Sequence, residues 1–270
     1  SIRRQRQMCI RDRNNSSVGK MAAVAGVDVI PVDIGIDTDE VIPGVLPRKV
    51  AKGTKNFAKE PAMTEEEVLK AIETGIQLVQ QCHREGYEIL ATGEMGIGNT
   101  TTSTAVAAAL LDLEVEQVTG KGAGLTDEAL KRKCRVIEEA IEKYFLRDAD
   151  AFTILKTVGG LDIAGLTGVF IGAAIEQIPV VIDGVISAGA ALLAETLCKG
   201  AVNYMIPSHK SRELAETAIM KKLHLDPVLD ADMALGEGTG AVMMMSLLDV
   251  ALGVYLQGCL LYTSPSPRDS

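Results

Sequence analysis

The sequence predicts an α/β fold, a parallel sheet with helices on both faces, and three observations predict it. Short β-branched runs such as Gly26-Val-Asp-Val-Ile-Pro-Val-Asp-Ile-Gly35 and Ile178-Pro-Val-Val-Ile-Asp183 are apolar nearly throughout, as strands covered on both faces are. Segments with helical periodicity separate these runs. Glycine-rich loops stand where a run turns into a helix. The composition supplies a core, with 47% hydrophobic against 23% charged residues, which excludes a disordered or collagen-like chain.

Taken in order, the Gly26 to Gly35 run reads as a buried strand. Thr64-Glu-Glu-Glu67 is a capping box that opens an amphipathic helix running to Glu85, and Gly86 ends it. Tyr87 to Thr92 is a strand that turns through a glycine-rich loop into the small-residue helix Asn99 to Leu111. The helix that carries Lys133 follows a second glycine loop. The grammar repeats: strand Ile178 to Asp183, helix Ser187 to Cys198, strand Val202 to Ile206, helix Lys210 to Lys222, and a last helix Ala241 to Val254. Such alternation describes a Rossmann-like parallel sheet plus a small helical attachment, in one domain of roughly 240 residues. Ligands of these sheets sit at the carboxyl ends of strands, so the residues just after Thr92, Ile182 and Ile206 carry the interest.

The net charge of −9 leaves no basic surface for a phosphate backbone, so nucleic acid is not an expected partner. Glu176, Asp183, Glu195 and Glu237 interrupt the most apolar half, so no membrane span is expected. Cys9, Cys82, Cys134, Cys198 and Cys259 form no C-x-x-C pair and read as reduced residues of a cytoplasmic protein. His83, His209 and His224 are far apart, and no metal is expected. Residues 1–13, with five Arg and one Asp, and residues 258–270 break from the pattern of the body. Both are expected to be non-native, adaptor-like tails, leaving residues 14–257 as the body.

Four constellations carry candidate chemistry. In Gly93-Glu-Met-Gly-Ile-Gly-Asn-Thr-Thr-Thr102 the glycines let backbone approach a ligand, and the helix that follows offers N–H groups and a positive dipole end to an anion. A structural turn is the alternative, and Glu94 tips the balance toward binding. Gly120-Lys-Gly-Ala-Gly124 and Lys133 read, by pattern alone, as a loop and a solvated lysine. In Ile206-Pro-Ser-His-Lys-Ser211 the serines are either helix caps or phosphate donors, and His209 is either a base or a loop residue with satisfied hydrogen bonds. In Leu235-Gly-Glu-Gly-Thr-Gly240, Glu237 reads as a pocket carboxylate whose partial desolvation would raise its pKa toward general-base range, against the alternative of a solvated acid in a turn. Met243-Met-Met245 reads as core filling, and Ile186-Ser-Ala-Gly189 lacks the leading glycine of a serine-hydrolase elbow.

Together, Gly93 to Thr101, Val158-Gly-Gly160, Asp183-Gly-Val-Ile-Ser187, Pro207-Ser-His209 and Leu235 to Gly240 resemble, in order and spacing, the nicotinate-nucleotide:dimethylbenzimidazole phosphoribosyltransferase family of cobalamin assembly. The resemblance implies transfer of phosphoribose from nicotinate mononucleotide to dimethylbenzimidazole or a related lower-ligand base, without a cofactor. It implies Glu237 as catalytic base and Glu94, Met95 and Leu235 in the base pocket. It implies nucleotide or phosphate contacts at Gly96, Gly98, Asn99, Thr100, Gly122, Gly124, Lys133, Ser208 and Ser211, with Asp183 and Ser187 as ribose-side positions. For Lys133 and Ser211 it reverses the reading from pattern alone. It also implies a homodimer when full length, and roughly one further third of a chain before Asn14 that completes the small helical domain. Without that segment the chain as written is open to inactivity. A non-catalytic nucleotide-binding homologue is the alternative, against which the intact Glu237 argues. A dinucleotide enzyme is disfavoured because G-x-G-x-x-G is absent.

Overall fold

Three parallel strands form the central sheet of the computed structural model, which describes residues 16–120, 126–233 and 235–256. The strands are β3 (Leu90–Ala91), β4 (Val180–Ile182) and β5 (Met205–Pro207), with β4 in the middle, Leu90 opposite Val180 and Val180 opposite Met205. All three residues of β4 are buried, as its unbroken apolar run requires. Two further parallel pairs flank this sheet, β1 (Val32–Asp33) with β2 (Leu46–Pro47) and β6 (His209–Ser211) with β7 (Leu229–Met233). The α/β architecture and the parallel pairing are as the sequence predicts.

The helices are α1 (Ser17–Ala25), α2 (Glu65–Arg84), α3 (Asn99–Leu111), the single turn α4 (Val115–Val118), α5 (Asp127–Lys143), α6 (Ala151–Val158), α7 (Leu161–Glu176), α8 (Val185–Leu197), α9 (Leu214–Leu223) and α10 (Thr239–Leu256). Both halves of the predicted capping box at α2 are present: Glu67 N–H bonds the Thr64 hydroxyl at 3.2 Å, and Thr64 N–H bonds the Glu67 carboxylate at 2.7 Å. Helices α2 and α7 touch backbone to backbone. A β carbon on Gly75 would collide with the Gly165 carbonyl, and one on Gly168 with the Ile72 carbonyl. This close approach lets Phe170, Leu155, Ile163 and Leu193 close the core beside the sheet.

Four predicted elements differ. The Tyr87 to Thr92 run is a strand only at Leu90–Ala91. The Gly26 to Gly35 run is a strand only at Val32–Asp33, with Asp28 and Ile30 exposed. Gly26 closes α1 in the left-handed region, and Pro31 has no N–H to give a ladder. The Val202 to Ile206 segment begins as a 3-10 turn at Ala201–Tyr204 and becomes strand at Met205. Lys210 does not open a helix. His209–Ser211 pairs with β7, so α9 starts only at Leu214. Met244 and Met245 are core residues as expected, whereas Met243 is exposed. No helix among the described residues is long and apolar enough to cross a membrane.

Candidate active site

The three central strands end on one hydrogen-bonded row. Thr92 follows β3, Asp183 follows β4 and Ser208 follows β5. The Thr92 hydroxyl bonds the Val181 carbonyl at 2.9 Å and also meets the Ser187 hydroxyl. Asp183 N–H reaches the Thr92 and Ser187 oxygens at 3.3 Å each. The Ser208 hydroxyl reaches the Asp183 carbonyl at 3.4 Å and His209 Nδ1 at 2.9 Å. Ser187, Ser208 and His209 are all buried, and His209 lies on β6 rather than in a loop.

Asp183 fastens a second segment to this row. Its carboxylate accepts the N–H groups of Gly238 and Ala241, each at 3.1 Å, and so pins the start of α10 to the end of β4. Burial pushes the Asp183 carboxyl up and, across from it, the His209 imidazole down. Gly236, Glu237 and Gly238 ahead of α10 all have positive φ, 75°, 65° and 89°, which two glycines adopt freely and Glu237 adopts at a cost. The tight loop brings the Glu237 carbonyl against Gly93, where a β carbon would lie 2.7 Å from it. The two acidic glycine loops, far apart in sequence, therefore meet at one edge of the sheet. Glu237 is half-buried, and its carboxylate accepts Val18 N–H at 3.4 Å.

Glu94 is held from its own loop and from the start of α3. Its carboxylate accepts Gly96 N–H at 2.8 Å and the Asn99 side-chain amide. That amide also donates to Asp162 at 2.9 Å. Burial, joined by the negative charges of Asp162 and Asp183, raises the Glu94 carboxyl to about 7 against the opposing pull of the Gly96 and Asn99 donors. Glu94 therefore exchanges a proton near neutrality. Met95 and Leu235 are exposed.

The residues expected to bind an anion lie at the start of α3. Gly98 caps that helix in the left-handed region with no side-chain acceptor, leaving the opening N–H groups without an internal side-chain partner. Lys133, 7% exposed, reaches from α5 to the Thr100 hydroxyl at 3.3 Å. Burial pushes its ammonium down, and Glu213 opposes that shift. Glu213 also lies against Gly120. Gly122 and Gly124 lie outside the described residues. Neither Ser208 nor Ser211 caps α9, whose N-cap is Glu213, so the capping alternative fails for both. Ser211 instead donates its N–H to Glu216 at 2.6 Å and accepts the Glu213 N–H at 3.1 Å.

Sequence reasoning missed Thr92, Asp162, Glu213 and Glu216. Asp162 had a readable signal, an acid two residues after Val158-Gly-Gly160 at a helix start. Glu216 had another, an acid between the buried Ala215 and Ile219 on an otherwise apolar face.

Comparison with known proteins shows the family. A family model described as phosphoribosyltransferase matches residues 5–258. The nicotinate-nucleotide–dimethylbenzimidazole phosphoribosyltransferase of Clostridium perfringens (strain 13 / Type A) is 47% identical over 239 residues, covering 88% of this chain and 66% of that protein. The protein of the same name from Acetivibrio thermocellus is 47% identical over 240 residues, covering 89% of this chain and 68% of its own. The crystal structure of CobT from Thermus thermophilus superposes with a TM-score of 0.87 at 36% identity, over 93% of this chain and 75% of that one. The chain thus spans just under two thirds of the Clostridium relative's length.

Proposed function

The chain belongs to the phosphoribosyltransferase family that its residues 5–258 match, and from that premise we propose that it moves phosphoribose from nicotinate mononucleotide to dimethylbenzimidazole. The products are α-ribazole 5′-phosphate and free nicotinate. The benzimidazole nitrogen attacks C1′ of the ribose as the bond from C1′ to the nicotinate ring nitrogen breaks. The displaced ring leaves as a neutral pyridine, because it was cationic while bound to the sugar, so its departure needs no acid. The benzimidazole N–H proton goes to Glu237, the catalytic base of this reading. Attack on the face opposite the leaving group turns a β-linkage into an α-linkage.

The observation that carries this reading is the contact of Gly93 with Glu237, which gathers both acidic loops beside the start of α3. Glu94, Met95 and Leu235 border the acceptor base. Gly96, Gly98, Asn99, Thr100 and Lys133 face the nucleotide, with Ser208 and Ser211 on its phosphate side. Asp183 and Ser187 serve the nucleotide side by fixing where the two loops sit. Holding two reactants in line and accepting one proton accounts for a chemistry without a metal. The reading extends to a cytoplasmic homodimer, with Val250, Val254 and Tyr255 on α10 offering apolar surface to a partner.

The experiment is direct. The chain extended by the upstream third of a relative and mixed with nicotinate mononucleotide and dimethylbenzimidazole releases nicotinate, and Glu237→Gln lowers kcat by about 10²–10⁴. Absence of release, or full activity in that variant, overturns the reading. Binding of the nucleotide without turnover would instead favour a non-catalytic homologue.

A further inference from the structure

We infer that Glu216 is a positioning residue for the nucleotide's phosphate: its carboxyl holds Ser211 and takes up a proton when the anion settles against that serine. The inference rests on the reading above, which puts Ser211 on the phosphate side. Glu216 sits on α9 at 2% exposure, and its Oε2 accepts the Ser211 N–H at 2.6 Å. The Ser211 hydroxyl accepts the Glu213 N–H at 3.1 Å, and the Ser211 side chain is close enough to help hold the Glu216 carboxyl down. The other oxygen, Oε1, has no hydrogen-bond partner among the described residues. A buried carboxylate oxygen without a donor is poorly satisfied as an anion and better accommodated as an O–H group.

A main-chain N–H engaged by a carboxylate is withheld from a phosphate. Protonation of Glu216 weakens that hold and removes a negative charge from beside the incoming dianion. The proton is available near neutrality: burial first, and Asp183 with it, lifts the Glu216 carboxyl to about 7 while the two Ser211 donors pull the other way. The surrounding charges do not supply an alternative. Helix α9 packs on α3, α4, α8 and β6. Helix α3 carries no titratable side chain, and α4 carries only the exposed Glu116. On α8, Glu195 is engaged with the Gly200 and Val202 N–H groups. On β6, burial holds the His209 imidazole down, and Lys210 is exposed and paired with Asp230 at 3.0 Å. On α9 itself Glu213 turns to Gly120 and Lys133, and Lys221 and Lys222 are exposed in the last turn. The sign follows: an arriving dianion raises the Glu216 carboxyl further, so binding is tightest with the proton on and weakens as pH rises through about 7.

The test is calorimetry of nicotinate mononucleotide in two buffers of different ionisation heat, with KM and kcat followed across neutrality. The unsubstituted chain takes up a fraction of a proton on binding, and its KM rises several-fold with pH. Glu216→Gln loses that uptake and flattens the KM profile, with the change on KM rather than kcat. Lys133 adds a pH dependence that both proteins share, so the difference between them is the readout. Ser211→Ala, which removes a side chain that favours the charged Glu216 without touching a buried carboxyl, is expected to shrink the proton uptake and covers the case of a Glu216 variant that does not fold. Unchanged uptake and slope in Glu216→Gln, with binding and turnover intact, overturns this inference alone. No binding and no nicotinate release from the unsubstituted chain overturns the functional reading and this inference with it.

Discussion

Gly93 lies against the main chain of Glu237, so close that a β carbon on the glycine would be 2.7 Å from the glutamate carbonyl oxygen. The distance between the two acidic loops is thus set by a contact that only glycine permits. Gly93→Ala pushes the loops apart by a few tenths of an ångström to an ångström while leaving the core untouched. The expected result is a kcat reduced by roughly ten- to a hundred-fold with the circular dichroism spectrum unchanged, since small misplacements of reacting groups are costly. An activity equal to that of the unsubstituted chain would show that the contact does not set the site.

Lys133 is buried and aimed at Thr100 beside the start of α3. On the proposed function, Lys133→Ala would remove one charge-assisted contact to the phosphate and is expected to raise the KM for nicotinate mononucleotide by roughly ten- to a hundred-fold, as losses of hydrogen bonds to charged groups do. Steady-state kinetics over a range of nucleotide concentrations reads this. A KM that stays put places the phosphate elsewhere.

Asp183 satisfies two main-chain N–H groups at the entrance of α10. Asp183→Asn turns one acceptor into a donor facing one of them and leaves a buried N–H unpaired, a loss of about 1–3 kcal/mol. Urea unfolding of the two proteins gives the difference, and the variant also loses activity because the Glu237 loop is no longer pinned.

Glu94 and Glu216 share a pH signature. Each carboxyl is raised from 4.5 to about 7 with burial as the leading cause. A group whose folded value is raised contributes stability that is complete below about pH 4.5 and is lost as pH rises through about 7. The unfolding midpoint is therefore expected to fall between those limits, and the double variant Glu94→Gln, Glu216→Gln to flatten that slope. Thermal scans at several pH values decide it, and a midpoint that rises through the window contradicts both assignments.

Gly168 and Gly253 make a matched pair for stability. A β carbon on Gly168 strikes the Ile72 main chain where α7 crosses α2, whereas one on Gly253 meets nothing within 4 Å. Gly168→Ala is expected to destabilise by about 1–3 kcal/mol through overpacking. Gly253→Ala is expected to be neutral or stabilising by up to about 1 kcal/mol, because alanine is the better helix former. Denaturant melts of both test the assignment.

What could be read from the sequence was what is encoded locally. The capping box of Thr64 and Glu67, the helix boundary at Asn99 and the strand at Val180 each follow from neighbours within one turn or one run. The strand character of Lys210 was hidden because its partner is β7, beyond the whole of α9, and a non-local pairing leaves no period in the sequence. The site divided the same way. The glycine loops bearing Glu94 and Glu237 announced themselves by composition. The bonds from Asp183 to Gly238 and from Asn99 to Asp162 span 55 and 63 residues and had no local trace. Glu216 was overlooked for a related reason, since an acid in a helix reads as solvated until burial is known.

Fastening the Glu237 loop to the middle strand and butting it against Gly93 carries a lesson for anyone seeking to change which ring this scaffold accepts. Neither acidic segment is an independent cassette. Grafting one from a homologue without its mate would mismatch the seam between them, so libraries aimed at new acceptors should vary Met95 and Leu235 at the rim and transplant the two loops only as a linked pair.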